Sequence, residues 1–229
     1  MSTKHFFTDT EGVVLRALDS IVARNPHLEH DRANRVVFSR THPPSKVTII
    51  SGGGSGHEPA WAGYVGDGML TASVAGEVFA SPSTKQVMAA IRNVASDAGV
   101  ILCITNYTGD RLHFGLAREK THATGQKIAQ IPLTDDVALG RKKSELLGRR
   151  GLAGNVLGKI SSWEQPHTNP GNLTNAGSSA PKSMDNWLQL EQVWTTAIYR
   201  AEPITKLSTM MHACSEWGFT MSQYGSLGD

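Results

Sequence analysis

Apolar residues recur along the first two-thirds of the chain in two alternating rhythms. Val13, Val14, Leu15, Leu18, Ile21 and Val22 share one face of a helical period, which predicts an amphipathic helix with Thr8 or Asp9 as its cap. Residues 35–39 and 46–51 hold the runs Val-Val-Phe and Val-Thr-Ile-Ile, β-branched and short enough for buried strands. Runs at 100–105 and 127–133 repeat that pattern. Between them lie stretches with helical spacing. One is 83–97, with Val87, Met88, Ile91 and Val94 on one side; the other is 110–124, with Leu112, Leu116 and Ala117. Strands alternating with helices of this length predict right-handed βαβ units, and so an α/β fold with a mostly parallel sheet and flanking helices.

The rhythm is lost beyond residue 160. Trp163, Trp187, Trp194 and Trp217 stand among Ser, Asn, Gln and Thr with no steady strand or helix period. A short apolar stretch at 194–199 has strand character, but Pro203 and polar flanks limit it. The pattern therefore predicts a folded domain over 5–160 followed by an irregular, exposed tail over 161–229.

Composition narrows the function classes. The 229 residues carry 22 Lys and Arg against 20 Asp and Glu, a net charge of +2. So small an excess, with no basic patch and interleaved aromatics, argues against a nucleic-acid partner. No apolar run approaches the ~18–20 residues that cross a bilayer and no signal peptide is visible, so the expected location is cytoplasmic, with no membrane partner. Cys103 and Cys214 cannot build a disulfide framework, which fits a reducing compartment.

The strongest local signal is Ser51-Gly52-Gly53-Gly54-Ser55-Gly56-His57-Glu58-Pro59, directly after a strand. Such a run, read as a loop opening a helix with Pro59 in its first turn, offers backbone N–H groups to ligand oxygens. It lacks the Lys-Ser/Thr pair of a Walker loop, and His57 stands where the dinucleotide fingerprint needs its third glycine. On glycines alone, a plain turn is an equal reading. His57 adds a group whose charge changes near neutral pH, with Glu58 beside it to orient or compensate it. A second polar cluster, Thr105-Asn106-Tyr107-Thr108-Gly109-Asp110-Arg111, follows the third run. Parallel strands end on one edge, so His57 and Asp110 are expected to face one crevice as an acid/base pair acting on a hydroxyl. Asp110 is equally read as a helix N-cap.

The segments SGGGSGHEP at 51–59, NYTGDRLHFGL at 106–116 and GRRGLAGNV at 148–156, in that order, resemble the substrate-binding domain of the dihydroxyacetone (glycerone) kinases. Gly68-Met69-Leu70 and Phe79-Ala80-Ser81-Pro82-Ser83 fit the same pattern. The resemblance implies ATP-dependent phosphorylation of dihydroxyacetone in glycerol and triose catabolism. It implies His57 and Asp110 as catalytic acid/base residues, and Gly54, Ser55, Gly56, His57, Thr105 and Asp110 as substrate contacts. ATP and magnesium belong, by the same resemblance, to a separate helical domain (or a phosphoprotein donor in bacterial relatives), so this chain is expected to bind no cofactor and to be inactive alone. Pairing of two copies is also implied. Where the family often has a lysine before Asn-Tyr, this chain has Thr105.

Family members also carry a second histidine, in a Gly-Ile-His-Asn-Glu-Pro motif, that binds the substrate carbonyl covalently. No such motif follows residue 160; His167 and His212 sit in unrelated contexts. The codons of the tail offer an explanation. Read one nucleotide earlier, 193–201 permits Ser-Leu-Asp-His-Cys-His-Ile-Pro-Gly, and 217–223 permits Met-Gly-Ile-His-Asn-Glu-Pro. Residues 187–192 permit Leu-Ala-Thr-Ile-Gly just upstream. Three family segments in one shifted frame, in the right order, point to a frameshift, a misplaced splice boundary or a gene-model error. The alternative is a non-catalytic triose-binding or regulatory module.

Overall fold

A computed structural model describes residues 11–136, 138 and 148–155. They form α1 (Val13–Arg24), β1 (Leu28–Asp31), β2 (Val36–Ser39), β3 (Thr48–Ser55), a 3-10 turn (Ala62–Tyr64), β4 (Ala72–Val78), α2 (Thr84–Asn93), β5 (Val100–Ile104), α3 (Thr108–His122) and β6 (Ile128–Pro132). The strands make one sheet in the order β1-β2-β4-β3-β5-β6. The four from β4 to β6 run parallel, and β1 and β2 extend the sheet antiparallel. This is the α/β class the apolar rhythm predicts. The expected tail over 161–229 lies outside the described residues.

The core joins the sheet to α2 and α3. Ile50, Val74, Leu102 and Ile104 pack with Val87, Ala90 and Ile91 of α2 and with Phe114 and Ala117 of α3. The face of α3 differs from expectation. Asp110, Phe114, Ala117 and Thr121, three or four residues apart, are buried, whereas Leu112 and Leu116 are 65% and 49% exposed. Phe114 decides this rotation: it is fully buried, and its helical neighbours on the same face follow it inward.

Helix starts follow local chemistry. Ser83 caps α2 in a capping box: its hydroxyl accepts from the Gln86 amide while the Gln86 side chain accepts from the Ser83 amide. Helix α1 begins after Gly12 at φ 67°, with no side-chain cap; Thr8 and Asp9 lie outside the described residues.

Two strands escaped the pattern. β1, Leu-Glu-His-Asp, has a single apolar residue, and β4, Ala-Ser-Val-Ala-Gly-Glu-Val, is mostly small. β4 is a strand because it is paired on both sides, a tertiary fact that propensity does not carry. The glycine run is likewise strand, not loop, as far as Ser55. A Cβ on Gly52 would stand 2.3 Å from the Val74 carbonyl oxygen, so the missing side chain lets β4 pass closely. The expected helix does not follow: the chain turns at Gly56 (φ 120°), and Pro59 lies in turn geometry ahead of the 3-10 turn. Among the described residues, no helix is long and apolar enough to cross a membrane.

β3 is followed in the sheet by β4 on one side and by β5 on the other. Such a reversal of winding opens a crevice beyond the carboxyl ends of the strands, here between β3 and β5.

Candidate functional site

The pairing of β3 with β5 ends at Gly52 and Ile104, so residues 53–55 run on past the end of β5. On the other side the ladder to β4 shifts register between Gly53 and Ser55 and skips Gly54. Strand, bulge and turn thus carry the glycine segment along one wall of the crevice. Ser55 is buried and its hydroxyl donates to the Gly76 carbonyl at 3.0 Å, which fastens β3 to β4. Glu58 does not reach His57; its carboxylate accepts from the Gly56 amide at 3.1 Å and closes the turn. The Gly56 N–H, expected to face a ligand, is therefore engaged within the chain.

His57 is exposed at the end of that turn. Its ring meets the edge of Trp61 at 5.4 Å between centroids with an interplanar angle of 68°. Trp61 is buried, with its indole nitrogen 2.6 Å from where a Cβ on Gly53 would stand. A bulky, seated tryptophan thereby supports an imidazole on the surface, while neither ring nitrogen of His57 is hydrogen-bonded to another of the described residues.

The opposite wall is the end of β5. Asp110 is not the cap of α3; Tyr107 holds that position and Asp110 sits in the first turn. Its side chain is 2% exposed and both oxygens are engaged. Ser81 Oγ donates to Oδ1 at 2.6 Å, and Thr105 Oγ1 donates to Oδ2 at 2.5 Å. A carboxylate at a helix N-terminus, gripped by two hydroxyls, is a fixed acceptor with its remaining lone pairs set in direction. No hydrogen bond or ion pair joins it to His57. The two predicted partners stand on walls built by different strands, and each is held by its own neighbours.

Ser81 went unread as a site residue. Its signal lay in the 79–83 segment, but it reaches Asp110 only because β4 ends on the same edge as β5. Gly109 makes the approach possible, since a Cβ there would lie 2.6 Å from Ser81 Oγ.

The 148–155 segment also belongs to this edge. The Gly151 amide donates to the Thr105 carbonyl at 2.7 Å, and the Asn106 side chain donates to the Arg149 carbonyl at 2.6 Å. Arg150 forks onto Asp136 through Nε at 3.0 Å and Nη2 at 2.6 Å, and its guanidinium lies 5.7 Å from the Tyr107 ring centroid. That guanidinium holds the Asp136 carboxyl below the usual carboxylate range. Asp135 accepts from the amides of Leu152 and Gly154 at 2.9 and 2.8 Å.

A cavity of about 370 Å³ lies elsewhere, lined by Glu29, Phe38, Arg40, His42, Asn93 and Val94 among others, none of them a predicted site residue. No group of three His, Cys, Asp or Glu side chains among the described residues could hold a metal ion. His167 and His212 lie outside the described residues.

Comparison with known proteins agrees in all three respects of sequence, family and fold. The Dak1 domain matches residues 19–162. Dihydroxyacetone kinase of Pichia angusta is 47% identical over 69% of this chain, which covers 26% of that protein. Triokinase/FMN cyclase of Mus musculus is 46% identical over 69% of this chain and 28% of that protein. The chain thus spans about a quarter of the length of these relatives. Among solved structures, the dihydroxyacetone kinase from C. freundii in complex with AMP-PNP and Mg2+ superposes with a TM-score of 0.64 at 41% identity, over 71% of this chain and 30% of that one. A dihydroxyacetone kinase operon co-activator gives 0.64 at 32% identity, over 78% of this chain and 51% of that one.

Proposed function

Because the chain belongs to the Dak1 domain family of the dihydroxyacetone kinases, we propose that its crevice between β3 and β5 binds dihydroxyacetone as the acceptor half of a kinase. One observation carries the reading: the buried Asp110 carboxylate is held by Ser81 and Thr105 at the end of β5, the strand that residues 53–55 overrun. A fixed carboxylate suits a substrate hydroxyl, which donates to it. The amides near Gly54 suit the carbonyl oxygen. His57, exposed and hydrogen-bonded to none of the described residues, is the proton acceptor for the hydroxyl that becomes phosphorylated, and Asp110 orients that hydroxyl.

ATP with magnesium supplies the phosphoryl group, and a separate nucleotide-binding domain carries both. Phosphoryl transfer depends mainly on positioning and charge neutralisation, so the described residues prepare the acceptor and do not complete the reaction. Residues 161–229 are, in this reading, family sequence translated out of frame, and the covalent histidine is lost with them. The nucleotide sequence across codons 155–229 tests that directly: the shifted frame must spell the three family segments, and any other spelling removes the idea.

A second reading is favoured by the likeness to an operon co-activator, which covers more of this chain than the kinase does. Here the chain would sense a triose without chemistry. Calorimetry with dihydroxyacetone and glycerol tests the site common to both. Weak binding of dihydroxyacetone that His57→Ala leaves intact but Asp110→Asn abolishes favours the sensor. Loss with either variant favours the kinase acceptor. No binding to the wild-type chain overturns both.

A further inference from the structure

Three described residues other than glycine hold a positive φ: Arg35 at 53°, Phe79 at 54° and Asn106 at 64°. Arg35 lies in the hairpin turn between β1 and β2, where such angles are usual, and asparagine tolerates them. Neither reason covers Phe79. Its Cβ and bulky ring crowd the backbone, and the surrounding structure must hold that strain in place.

No gain in burial offsets it. Phe79 directly follows β4 and is 82% exposed, more than any other large apolar side chain among the described residues. The fold nevertheless fixes it. Its amide donates to the Ser55 carbonyl at 2.8 Å, and the Ala80 amide donates to the Glu77 carbonyl at 3.1 Å. Two glycines make room for it. A Cβ on Gly54 would stand 3.0 Å from the Phe79 carbonyl carbon, and one on Gly56 would stand 3.1 Å from Cε1 of its ring. Gly56 immediately precedes His57, and two residues beyond Phe79 the Ser81 hydroxyl donates to Asp110. Residues 79–81 therefore span from the glycine wall of the crevice to the carboxylate. An aromatic residue strained, exposed and pinned at that place adds nothing to the core, and such strain persists where function uses it.

We propose that Phe79 is a further substrate-contacting residue, whose ring packs on the methylene groups of a triose held between Gly54 and Asp110. The inference rests on the acceptor reading above. In that reading amides and Asp110 take up the oxygens of dihydroxyacetone, and its C–H faces are left over. Hydrogens on carbons that bear oxygen are electron-poor and the face of a phenyl ring is electron-rich, so the two attract as they shed water.

NMR titration of the full 229-residue chain with dihydroxyacetone tests it. In wild type the ring should move the methylene proton signals of the bound triose upfield. Phe79→Leu keeps an apolar contact and removes the ring current. It should lose that shift and bind within about threefold of wild type. Phe79→Gly should weaken binding about five- to tenfold, the loss of a small apolar contact. The same variant relieves the backbone, so its denaturation midpoint should equal or exceed that of wild type. Leu112→Ala, which removes an exposed apolar side chain from α3, should alter neither shift nor affinity. If Phe79→Gly binds as tightly as wild type, or the upfield shift survives in Phe79→Leu, the ring does not touch the triose. The inference then fails while the acceptor reading stands. A lower midpoint for Phe79→Gly makes the ring a structural prop and equally defeats it. If the wild-type chain binds no dihydroxyacetone, the acceptor reading fails and this contact with it.

Discussion

At the scale of single residues, the site depends on what surrounds one carboxylate. Asp110 was legible as a candidate from its place after an apolar run, and its partners were not. Thr105 precedes it by five positions and Ser81 by twenty-nine, yet both hydroxyls donate to the same group. Only sheet topology relates those distances. Thr105 also stands where the resemblance to the kinases leads one to expect lysine. An ammonium makes a charge-assisted bond to a carboxylate that a neutral hydroxyl does not match. Here the hydroxyl is buried and already bonded to Asp110, with no room for a lysine chain. Thr105→Val, which keeps the shape and removes that donor, is expected to weaken dihydroxyacetone binding about fivefold, read by calorimetry, and an unchanged affinity would show that Asp110 does not depend on it.

Elements show where local chemistry and tertiary packing share control. The capping box at the start of α2 is readable in Ser83-Thr84-Lys85-Gln86, and the structure forms it. Ser83→Ala should cost about 1 kcal/mol, seen as a lower midpoint in denaturant at unchanged slope. The 148–155 segment is the contrary case, since nothing in its local pattern says that it docks on β5. Its main ionic tie is Arg150 to Asp136. Because that tie depresses the folded-state carboxyl below its unfolded value of about 3.9, the stabilisation is present above that pH and is lost as the pH falls through the folded value. Asp136→Asn should therefore melt below wild type near neutral pH, and the gap should close in acid. A gap that persists unchanged through the whole acid titration of the folded carboxyl would assign the loss to packing instead.

For the whole molecule, the consequence concerns turnover. On the proposed reading the described residues hold the acceptor alone; no metal cluster is found among them, and the chain spans about a quarter of its kinase relatives. The purified chain with dihydroxyacetone, ATP and magnesium should form no triose phosphate above the uncatalysed background in a coupled assay. Turnover by the chain alone would refute the division of labour proposed here.

By itself, the sequence determined the class of fold. Strong runs at β3 and β5 and the periodic faces of α1 and α2 leave little choice but a βαβ arrangement, because burial of β-branched and amphipathic patterns is a local demand. It also marked His57 and Asp110, since both follow strands. Only the tertiary structure decided that the glycines are strand and not loop, that Leu112 and Leu116 face solvent, and that Ser81 and the 148–151 segment join the site. Each of those outcomes depends on how near one backbone comes to another. That distance is set when the sheet assembles, and no window of sequence contains it.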